Sequence, residues 1–167
     1  MDTPPAFKLL FVCLGNICRS PAAEGVMKQV IEDAGLAAEV FIDSAGTAGW
    51  HTGKRADDRM RAAANARGLE LTSFARQVRD ADLADFDLVV VMDQSNHVDL
   101  RAFDRQKLHS AKVRLFCEFC TRHEETEVPD PYYGGPEGFE KVLDLLEDGC
   151  AGVLAHIRQH LGHSKVA

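Results

Sequence analysis

A predicted strand and a predicted helix near the amino terminus are joined by a loop with an unusual composition. The strand is the apolar run Phe7–Val12, and the helix extends over Ala22–Val30, with Pro21 in its first turn, where the missing proline N–H is harmless. The loop between them contains Gly15 and Asn16, the residue types that best tolerate a positive φ. Such a loop can curl until its backbone N–H groups converge, so the segment predicts a strand–loop–helix unit with an anion-binding turn.

Two reactive side chains flank this turn. Cys13 directly follows the strand, and Arg19 stands where the helix begins. The planar guanidinium group of Arg19 can bind a tetrahedral oxyanion bidentately, beside the N–H groups at the helix start. The same positive field favours the thiolate form of Cys13, which is its nucleophilic form. A nucleophile at the base of an anion-binding turn predicts the transfer of a phosphoryl group to sulfur.

Strand and helix patterns alternate along the rest of the chain. The further predicted elements are a strand over Glu39–Ser44, a helix over Asp57–Arg67, a strand over Phe86–Met92, a helix from about Ser95, a strand over Lys112–Phe116 and a helix from about Pro136. This alternation predicts a single α/β domain, in which helices cover both faces of a four-stranded parallel sheet in a doubly wound, flavodoxin-like arrangement. Ligands in such folds bind at the carboxyl ends of the strands, and Cys13 lies at such an end.

The composition is typical of one intracellular domain. The 167 residues, of which 46% are hydrophobic, can form one core, which we expect over residues 7–162 between a disordered lead-in (1–6) and a tail (163–167). No apolar run approaches the roughly 20 residues of a membrane span, and the first residues lack the pattern of a signal peptide. The 5 cysteines, an odd number, favour reduced thiols over a disulfide framework. We therefore expect a cytoplasmic protein.

The overall charge limits how the chain can recognise phosphate. A formal net charge of -7 disfavours nucleic-acid binding, which normally requires a basic surface. The overall field would also repel phosphate, so recognition must come from one local loop.

A second motif, centred on Asp130, supplies a carboxyl group for acid catalysis. Pro129 and Pro131 flank Asp130 and hold it on a stiff, extended loop, ahead of the aromatic pair Tyr132 and Tyr133. A phenolate departs faster when it is protonated, and Asp130 is well placed in sequence to supply that proton. An Asp–Pro pair alone is common in ordinary loops, so this motif indicates acid catalysis only together with the phosphate-binding turn.

Both motifs resemble those of the low molecular weight protein tyrosine phosphatases. The string Cys13–Pro21 resembles the phosphate-binding loop of that family, and Asp130–Gly134 resembles its general-acid loop, within a resemblance that extends from about Phe7 to Leu161. The resemblance implies metal-independent hydrolysis of phosphotyrosine, and of aryl phosphate monoesters generally, through a phosphocysteine intermediate and without a cofactor. It also implies phosphotyrosine-containing proteins as partners, inorganic phosphate as product, and a monomer without nucleic-acid partners.

The resemblance further implies the role of each catalytic residue. Cys13 would be the nucleophile, Arg19 would clamp the phosphate, and Asp130 would act first as the acid and then as the base that activates water. Residues expected to bind the substrate phosphate are Leu14, Gly15, Asn16, Ile17, Cys18 and Ser20. Ser20 would also donate a hydrogen bond to the thiolate, with helix capping as its alternative role.

The remaining implied roles concern the loop support and the walls of the cleft. Asn16, through a left-handed backbone conformation, and Ser44 would brace the phosphate-binding loop. Trp50, Tyr132 and Tyr133 would flank the aromatic ring of the substrate, and the single Trp, in a polar Gly-rich loop, is hard to explain as core.

The cysteines leave several alternatives open. Cys18 lies close to Cys13 in sequence, and the resemblance also implies a reversible disulfide between them, with plain packing as the alternative. Cys117 and Cys120 could be packing residues, a redox pair, or half of a metal site near His123. A redox pair would also suit an arsenate reductase on the same fold, although a reductase has little use for Asp130. A catalytically inactive phosphotyrosine-binding module is the third possibility, but the intact catalytic residues disfavour it.

Overall fold

One four-stranded parallel sheet forms the centre of the protein in this computed structural model, which describes residues 3–162. Its strands are β1 (Phe7–Cys13), β2 (Val40–Gly46), β3 (Leu88–Val91) and β4 (Val113–Leu115). Their order across the sheet is β2–β1–β3–β4, and each neighbouring pair is parallel. This order confirms the predicted doubly wound, flavodoxin-like fold, because the strand order reverses beside β1.

Helices connect the strands and cover both faces of the sheet. Within residues 3–162 the α-helices are α1 (Arg19–Asp33), α2 (Asp58–Ala66), α3 (Asp80–Asp85), α4 (Gln94–Leu100) and α5 (Pro136–Leu161). Short 3₁₀ turns occupy Arg101–Phe103, Ser110–Lys112 and Phe116–Phe119. The predicted alternation of strands and helices is therefore confirmed.

Strand β1 is buried on both faces, which explains why Lys8 is its only charged residue. Leu9 and Phe11 point into a large core that also contains the buried faces of α1 and α5. Leu10 and Val12 point to the opposite face, into a smaller core that contains Leu83 of α3. Successive side chains of a strand alternate between its faces, so a strand covered on both sides must be apolar at nearly every position. Cys13 thus ends a rigid, fully enclosed strand.

Several element bounds differ from the sequence predictions for local reasons. Helix α1 already begins at Arg19, since Pro21 fits within a first turn whose N–H groups have no intrahelical partner. Strand β4 stops before Phe116, which enters a 3₁₀ turn. Helix α3 was not predicted, because its 6 residues are too few to show a helical period. Its start is fixed by the Asp82 carboxylate, which accepts the Arg79 N–H at 2.8 Å.

The structure describes only part of the predicted lead-in and none of the predicted tail. Residues 3–5 form neither helix nor strand. Residues 1–2 of the expected lead-in, and the expected tail over 163–167, lie outside the described residues. No helix in the described part of the chain combines the length and the apolar character needed to cross a membrane.

Candidate active site

A cleft opens at the carboxyl edge of the sheet, where the β1–α1 loop lies. Its lining residues are Cys13, Leu14, Gly15, Ile17, Cys18, Arg19, Trp50, His51, Asp130, Tyr132 and Tyr133. The structure therefore brings both sequence motifs and the expected aromatic residues to one place. Three further predicted residues, Asn16, Ser20 and Ser44, are buried close to the thiol rather than lining the cleft.

The β1–α1 loop bonds to neighbouring segments through its carbonyl oxygens rather than through its backbone N–H groups. Asn16 has a φ of 58°, the left-handed conformation expected from its sequence position. Carbonyl oxygens of the loop accept N–H groups of adjoining segments: Cys13 O from Thr47 at 2.9 Å, Leu14 O from Ala48 at 2.9 Å, and Ile17 O from Asp57 at 2.8 Å. The backbone N–H groups of residues 14–18 have no hydrogen-bond partner among residues 3–162. Consecutive free donors at a helix start form an anion-binding site.

A chain of buried hydrogen bonds extends from the Cys13 thiol into the protein. Cys13 Sγ lies 3.0 Å from Ser20 Oγ, and Asn16 Nδ2 donates to the same hydroxyl oxygen at 2.8 Å. Asn16 Nδ2 also donates to Ser44 Oγ at 3.0 Å, and Ser44 Oγ donates to the Glu24 carboxylate at 2.6 Å. All of these residues are buried, so water does not compete for these bonds.

The partners of Asn16 and Glu24 fix the direction of the hydrogen bonds in this network. Asn16 Oδ1 accepts the backbone N–H of Arg76 at 3.0 Å, so the NH₂ group of Asn16 must face the two serines. Glu24, which also accepts from Lys28 at 2.5 Å, offers only acceptor atoms to Ser44. Ser44 therefore gives its own hydrogen to Glu24 and receives one from Asn16.

The Ser20 hydroxyl is oriented by the same hydrogen bonds. Ser20 Oγ receives the second hydrogen of the Asn16 amide, so its own hydrogen is free for another acceptor. Cys13 Sγ lies at 3.0 Å, whereas the Ala45 carbonyl oxygen lies at the outer limit of 3.5 Å. The geometry thus favours donation to the sulfur. Ser20 is the second residue of α1 and does not occupy the capping position.

Arg19 is held rigidly in the wall of the cleft. Its Nη1 donates to Asp93 Oδ2 at 2.6 Å and to the Val128 carbonyl oxygen at 3.0 Å. Its Nη2 lies 3.8 Å from Asp130 Oδ2. Burial alone would lower the pKa of Arg19, but the attraction of Cys13 and the bond to Asp93 raise it above its usual value. The guanidinium group is therefore permanently charged and fixed beside the thiol.

Asp130 and the aromatic side chains form the outer part of the cleft. Asp130 is 40% exposed, and its Oδ1 accepts the Tyr132 N–H at 3.1 Å, which fixes the turn. The rings of Tyr132 and Tyr133 meet edge to face with centroids 4.9 Å apart, and the Arg59 guanidinium lies 5.2 Å from the Tyr132 ring. Trp50 is 70% exposed, so it is not a core residue. The outer cleft is thus aromatic and open, whereas its floor is polar and buried.

The two cysteines of the cleft differ in their surroundings. Cys18 is buried, and this burial, together with the nearby carboxylate of Asp57, raises its pKa well above the usual range. Cys18 is therefore a neutral thiol. All five cysteines, including Cys13, are free thiols in the structure.

Two carboxylates that position site residues, Asp93 and Glu24, were not predicted from the sequence. Asp93 closely follows β3 and so lies at the same sheet edge as Cys13, which was the available signal. Glu24 lies on α1, where an acidic residue is normally exposed, yet it is only 4% exposed. Nothing in the sequence distinguishes it from a surface residue.

Known proteins are similar to this chain in sequence and in fold. The family model described as low molecular weight phosphotyrosine protein phosphatase matches residues 8–163. A low molecular weight protein-tyrosine-phosphatase from Streptomyces coelicolor is 42% identical over 157 residues, covering 93% of this chain and 96% of that protein. The human low molecular weight phosphotyrosine protein phosphatase is 38% identical over 147 residues, covering 87% and 92%. A solved structure of a protein tyrosine phosphatase from Entamoeba histolytica, with Hepes in its active site, has a TM-score of 0.87 at 45% identity, covering 94% and 99%.

Proposed function

The chain belongs to the low molecular weight protein tyrosine phosphatase family and hydrolyses phosphotyrosine, and we propose that it does so through a phosphocysteine on Cys13. The observation that carries this proposal is the position of the thiol, on the floor of a cleft that also contains free backbone N–H groups and the Arg19 guanidinium. The names of its relatives favour phosphatase activity over arsenate reduction or passive phosphotyrosine binding.

In the first chemical step, the phosphoryl group of the substrate moves to sulfur. The free N–H groups of residues 14–18 and the Arg19 guanidinium bind the three non-bridging oxygens, where they stabilise the charge of the transition state. The Cys13 thiolate attacks phosphorus in line with the departing phenol oxygen. Asp130 donates its proton to that oxygen as the P–O bond breaks. Asp130 Oδ2 lies 3.8 Å from Arg19 Nη2, so the carboxyl group stands at the edge of the proposed phosphate site.

In the second step, water releases the phosphate. Asp130, now a carboxylate, takes a proton from a water molecule that attacks the phosphorus of the phosphocysteine. The P–S bond breaks, inorganic phosphate leaves, and the Cys13 thiolate is restored. Ser20, whose hydroxyl lies 3.0 Å from the sulfur, stabilises the negative charge that returns to it.

The shape of the cleft favours aryl phosphates. Trp50, Tyr132 and Tyr133 are stiff, amphipathic side chains at its mouth, suited to flank a phenyl ring. A phosphotyrosine side chain is long enough to reach from the floor to the surface, whereas a phosphoserine is too short to bring its backbone past these walls. Phosphotyrosine-containing proteins are therefore the proposed partners.

The cellular setting is also part of the proposal. Free thiols, of which Cys13 and Cys18 line one cleft, suit a reducing compartment such as the cytoplasm. We propose that oxidation of Cys13 is reversed by way of a disulfide with Cys18, which would protect the nucleophile. We further expect that the enzyme acts as a monomer, which its elution volume in gel filtration will test.

Replacement of Cys13 by Ser tests the phosphocysteine mechanism. The variant should lose turnover of an aryl phosphate, because serine lacks the thiolate nucleophile. Rapid quenching in alkali during turnover should trap phosphate on the peptide that contains Cys13 in the wild-type protein but not in the variant. Cys120→Ser, which changes a thiol outside the cleft, is the matched control and should retain activity. Undiminished hydrolysis by the Cys13 variant would rule the mechanism out.

A further inference from the structure

Cys117 and Cys120 form a dithiol turn directly after strand β4. The 3₁₀ turn Phe116–Phe119 brings them together, and the Cys120 N–H donates to the Cys117 carbonyl oxygen at 3.2 Å. In a turn closed by such a bond, the two Cα atoms lie within about 7 Å of each other, and disulfides bridge Cα atoms about 4.4–6.8 Å apart. The spacing of the two cysteines in this turn is therefore compatible with a disulfide.

The two thiols are chemically unequal. The neighbouring Cys120 thiol lowers the pKa of Cys117, against the effect of burial. The neighbouring Cys117 thiol and burial together raise the pKa of Cys120 far above its usual range. The Asp148 carboxylate beside Cys120 acts in the same direction, because it favours a protonated neighbour. This difference favours Cys117 as the nucleophile of the pair and Cys120 as the resolving thiol.

The turn is fixed against helix α5 by close backbone approaches. A Cβ atom on Gly149 would collide with the Phe116 ring, and one on Gly152 would collide with the Phe119 carbonyl oxygen. Cys120 Sγ also lies 3.7 Å from the Leu145 carbonyl oxygen. The absence of side chains at both glycines allows this contact, so the dithiol turn lies on a rigid support.

The segment that follows the turn is also tied to α5. Asp148 is buried, and its carboxylate accepts the backbone N–H groups of Thr121, Arg122 and His123 at 2.9–3.0 Å. The His123 ring nitrogen lies 2.8 Å from the same carboxylate. Contacts with α5 therefore hold the chain in place both within the dithiol turn and directly after it.

We propose that Cys117 and Cys120 form a second redox site, which a hydroperoxide converts reversibly into a disulfide, separate from the phosphatase cleft. Neither thiol lines the cleft. The alternative of a metal site finds no support, since residues 3–162 contain no group of three or more His, Cys, Asp or Glu side chains able to hold a metal ion.

The oxidation proceeds in two steps. The Cys117 thiolate attacks an oxygen of the hydroperoxide, the O–O bond breaks, and sulfur becomes a sulfenic acid while the alkoxide takes up the proton released by Cys117. Cys120 then attacks the sulfenic sulfur, the S–O bond breaks, and the departing hydroxide leaves as water with the Cys120 proton. The two thiols together lose two electrons, which reduce the hydroperoxide to an alcohol and water. An added dithiol reverses the change by exchange.

The test uses the full chain with Cys13→Ser and Cys18→Ser, which removes the competing thiols of the cleft. After exposure to tert-butyl hydroperoxide and alkylation under denaturing conditions, trypsin releases Leu115–Arg122, a single peptide that holds both thiols. This peptide should lack two hydrogen atoms and resist alkylation, and dithiothreitol should restore both thiols. Cys150, which is fully buried with a raised pKa, should remain alkylatable and is the internal control.

Single substitutions in this background test the order of the steps. With Cys120→Ser, Cys117 should advance to the sulfinic acid because no resolving thiol remains. With Cys117→Ser, Cys120 should stay reduced. Complete alkylation of both thiols, under an exposure that oxidises Cys13 in the wild-type protein, would overturn the proposal. So would a Cys117 disulfide to Cys150 or to another molecule, or rapid oxidation of Cys120 alone.

The outcome is independent of the proposed phosphatase mechanism. Cys117→Ser and Cys120→Ser in an otherwise wild-type chain should keep full aryl phosphate hydrolysis, because neither residue lines the cleft. Failure of the redox proposal would therefore leave the phosphocysteine mechanism untouched, and loss of the phosphocysteine mechanism would leave the redox result standing.

Discussion

Replacing Ser20 with Ala removes the proposed hydrogen bond between the Ser20 hydroxyl and Cys13 Sγ. The bonding pattern of Asn16 and Ser44 leaves the Ser20 hydrogen free to point at sulfur, 3.0 Å away. When water releases phosphate from the phosphocysteine, negative charge returns to that sulfur. The Ser20 hydroxyl stabilises this charge, so its loss should slow the second chemical step.

The expected fall in kcat corresponds to the loss of one hydrogen bond to a charged sulfur atom. A hydrogen bond to a charged group contributes about 1.5–3 kcal/mol. Since about 1.36 kcal/mol corresponds to a tenfold change in rate, kcat should fall about 10- to 150-fold. The change also leaves one buried N–H of Asn16 without its acceptor, which should lower the free energy of unfolding by about 1–3 kcal/mol.

Rapid-quench kinetics with an aryl phosphate separates the catalytic effect from the structural one. Urea unfolding first identifies conditions under which the variant is fully folded. Under those conditions, the amount of trapped phosphocysteine should rise as kcat falls, because hydrolysis of the intermediate has slowed. Ser110→Ala, at an exposed position far along the chain, is the matched control and should change neither quantity. An unchanged kcat in folded Ser20→Ala would exclude a catalytic hydrogen bond to sulfur and would mean that the hydroxyl donates to the Ala45 carbonyl oxygen instead.

Four further predictions test other parts of the site. Asp130→Asn should lower kcat about 10²–10⁴-fold for poor phenol leaving groups and less for good ones. A loss of the same size for every leaving group would exclude Asp130 as the acid. After hydrogen peroxide, Cys18→Ser should recover poorly with a dithiol, whereas the wild type should recover and show a Cys13–Cys18 disulfide by peptide mapping. Trp50→Ala should lose about 0.5–1.5 kcal/mol of transition-state stabilisation, measured as kcat/KM for phosphotyrosine peptides, while inhibition by inorganic phosphate stays unchanged; equal losses would indicate a structural role. Glu24→Gln should lower kcat less than Ser20→Ala does, since a neutral amide oxygen still accepts from the network, though more weakly; a larger loss would contradict the proposed bonding direction.

Local sequence patterns could predict the sheet and the floor of the site. Strand β1 is recognisable because burial on both faces demands an apolar run, and the loop after it carries residues suited to a left-handed turn. Cys13 and Arg19 belong to this one short segment, so their proximity follows from the chain itself. The length of β4 and the existence of α3 were not predictable, because tertiary packing and single caps decide such short elements.

Contacts between distant parts of the chain could not be predicted. Asp93 binds Arg19 across 74 positions of sequence. The same carboxyl group also caps α4, since its Oδ1 accepts the Asn96 N–H at 2.8 Å, and this is the role that its sequence suggests. Glu24 likewise resembles a surface residue of α1 until the fold brings Ser44 of β2 against it. Both groups position reactive side chains through partners that only the folded sheet supplies.

The strand order explains why these partners converge on one thiol. With β1 between β2 and β3, the segments that end or leave those strands meet beside Cys13: Ser44 near the end of β2, and Asp93 just after β3. After β4, the chain comes back to this edge at Val128, whose carbonyl oxygen accepts a hydrogen bond from Arg19. Asp130 follows shortly afterwards in the sequence. Because the whole chain carries a net charge of -7, it cannot attract phosphate through its overall field. The free backbone N–H groups of the loop and the Arg19 guanidinium must therefore attract phosphate locally. Contacts from several segments at this sheet edge hold these groups in their orientations.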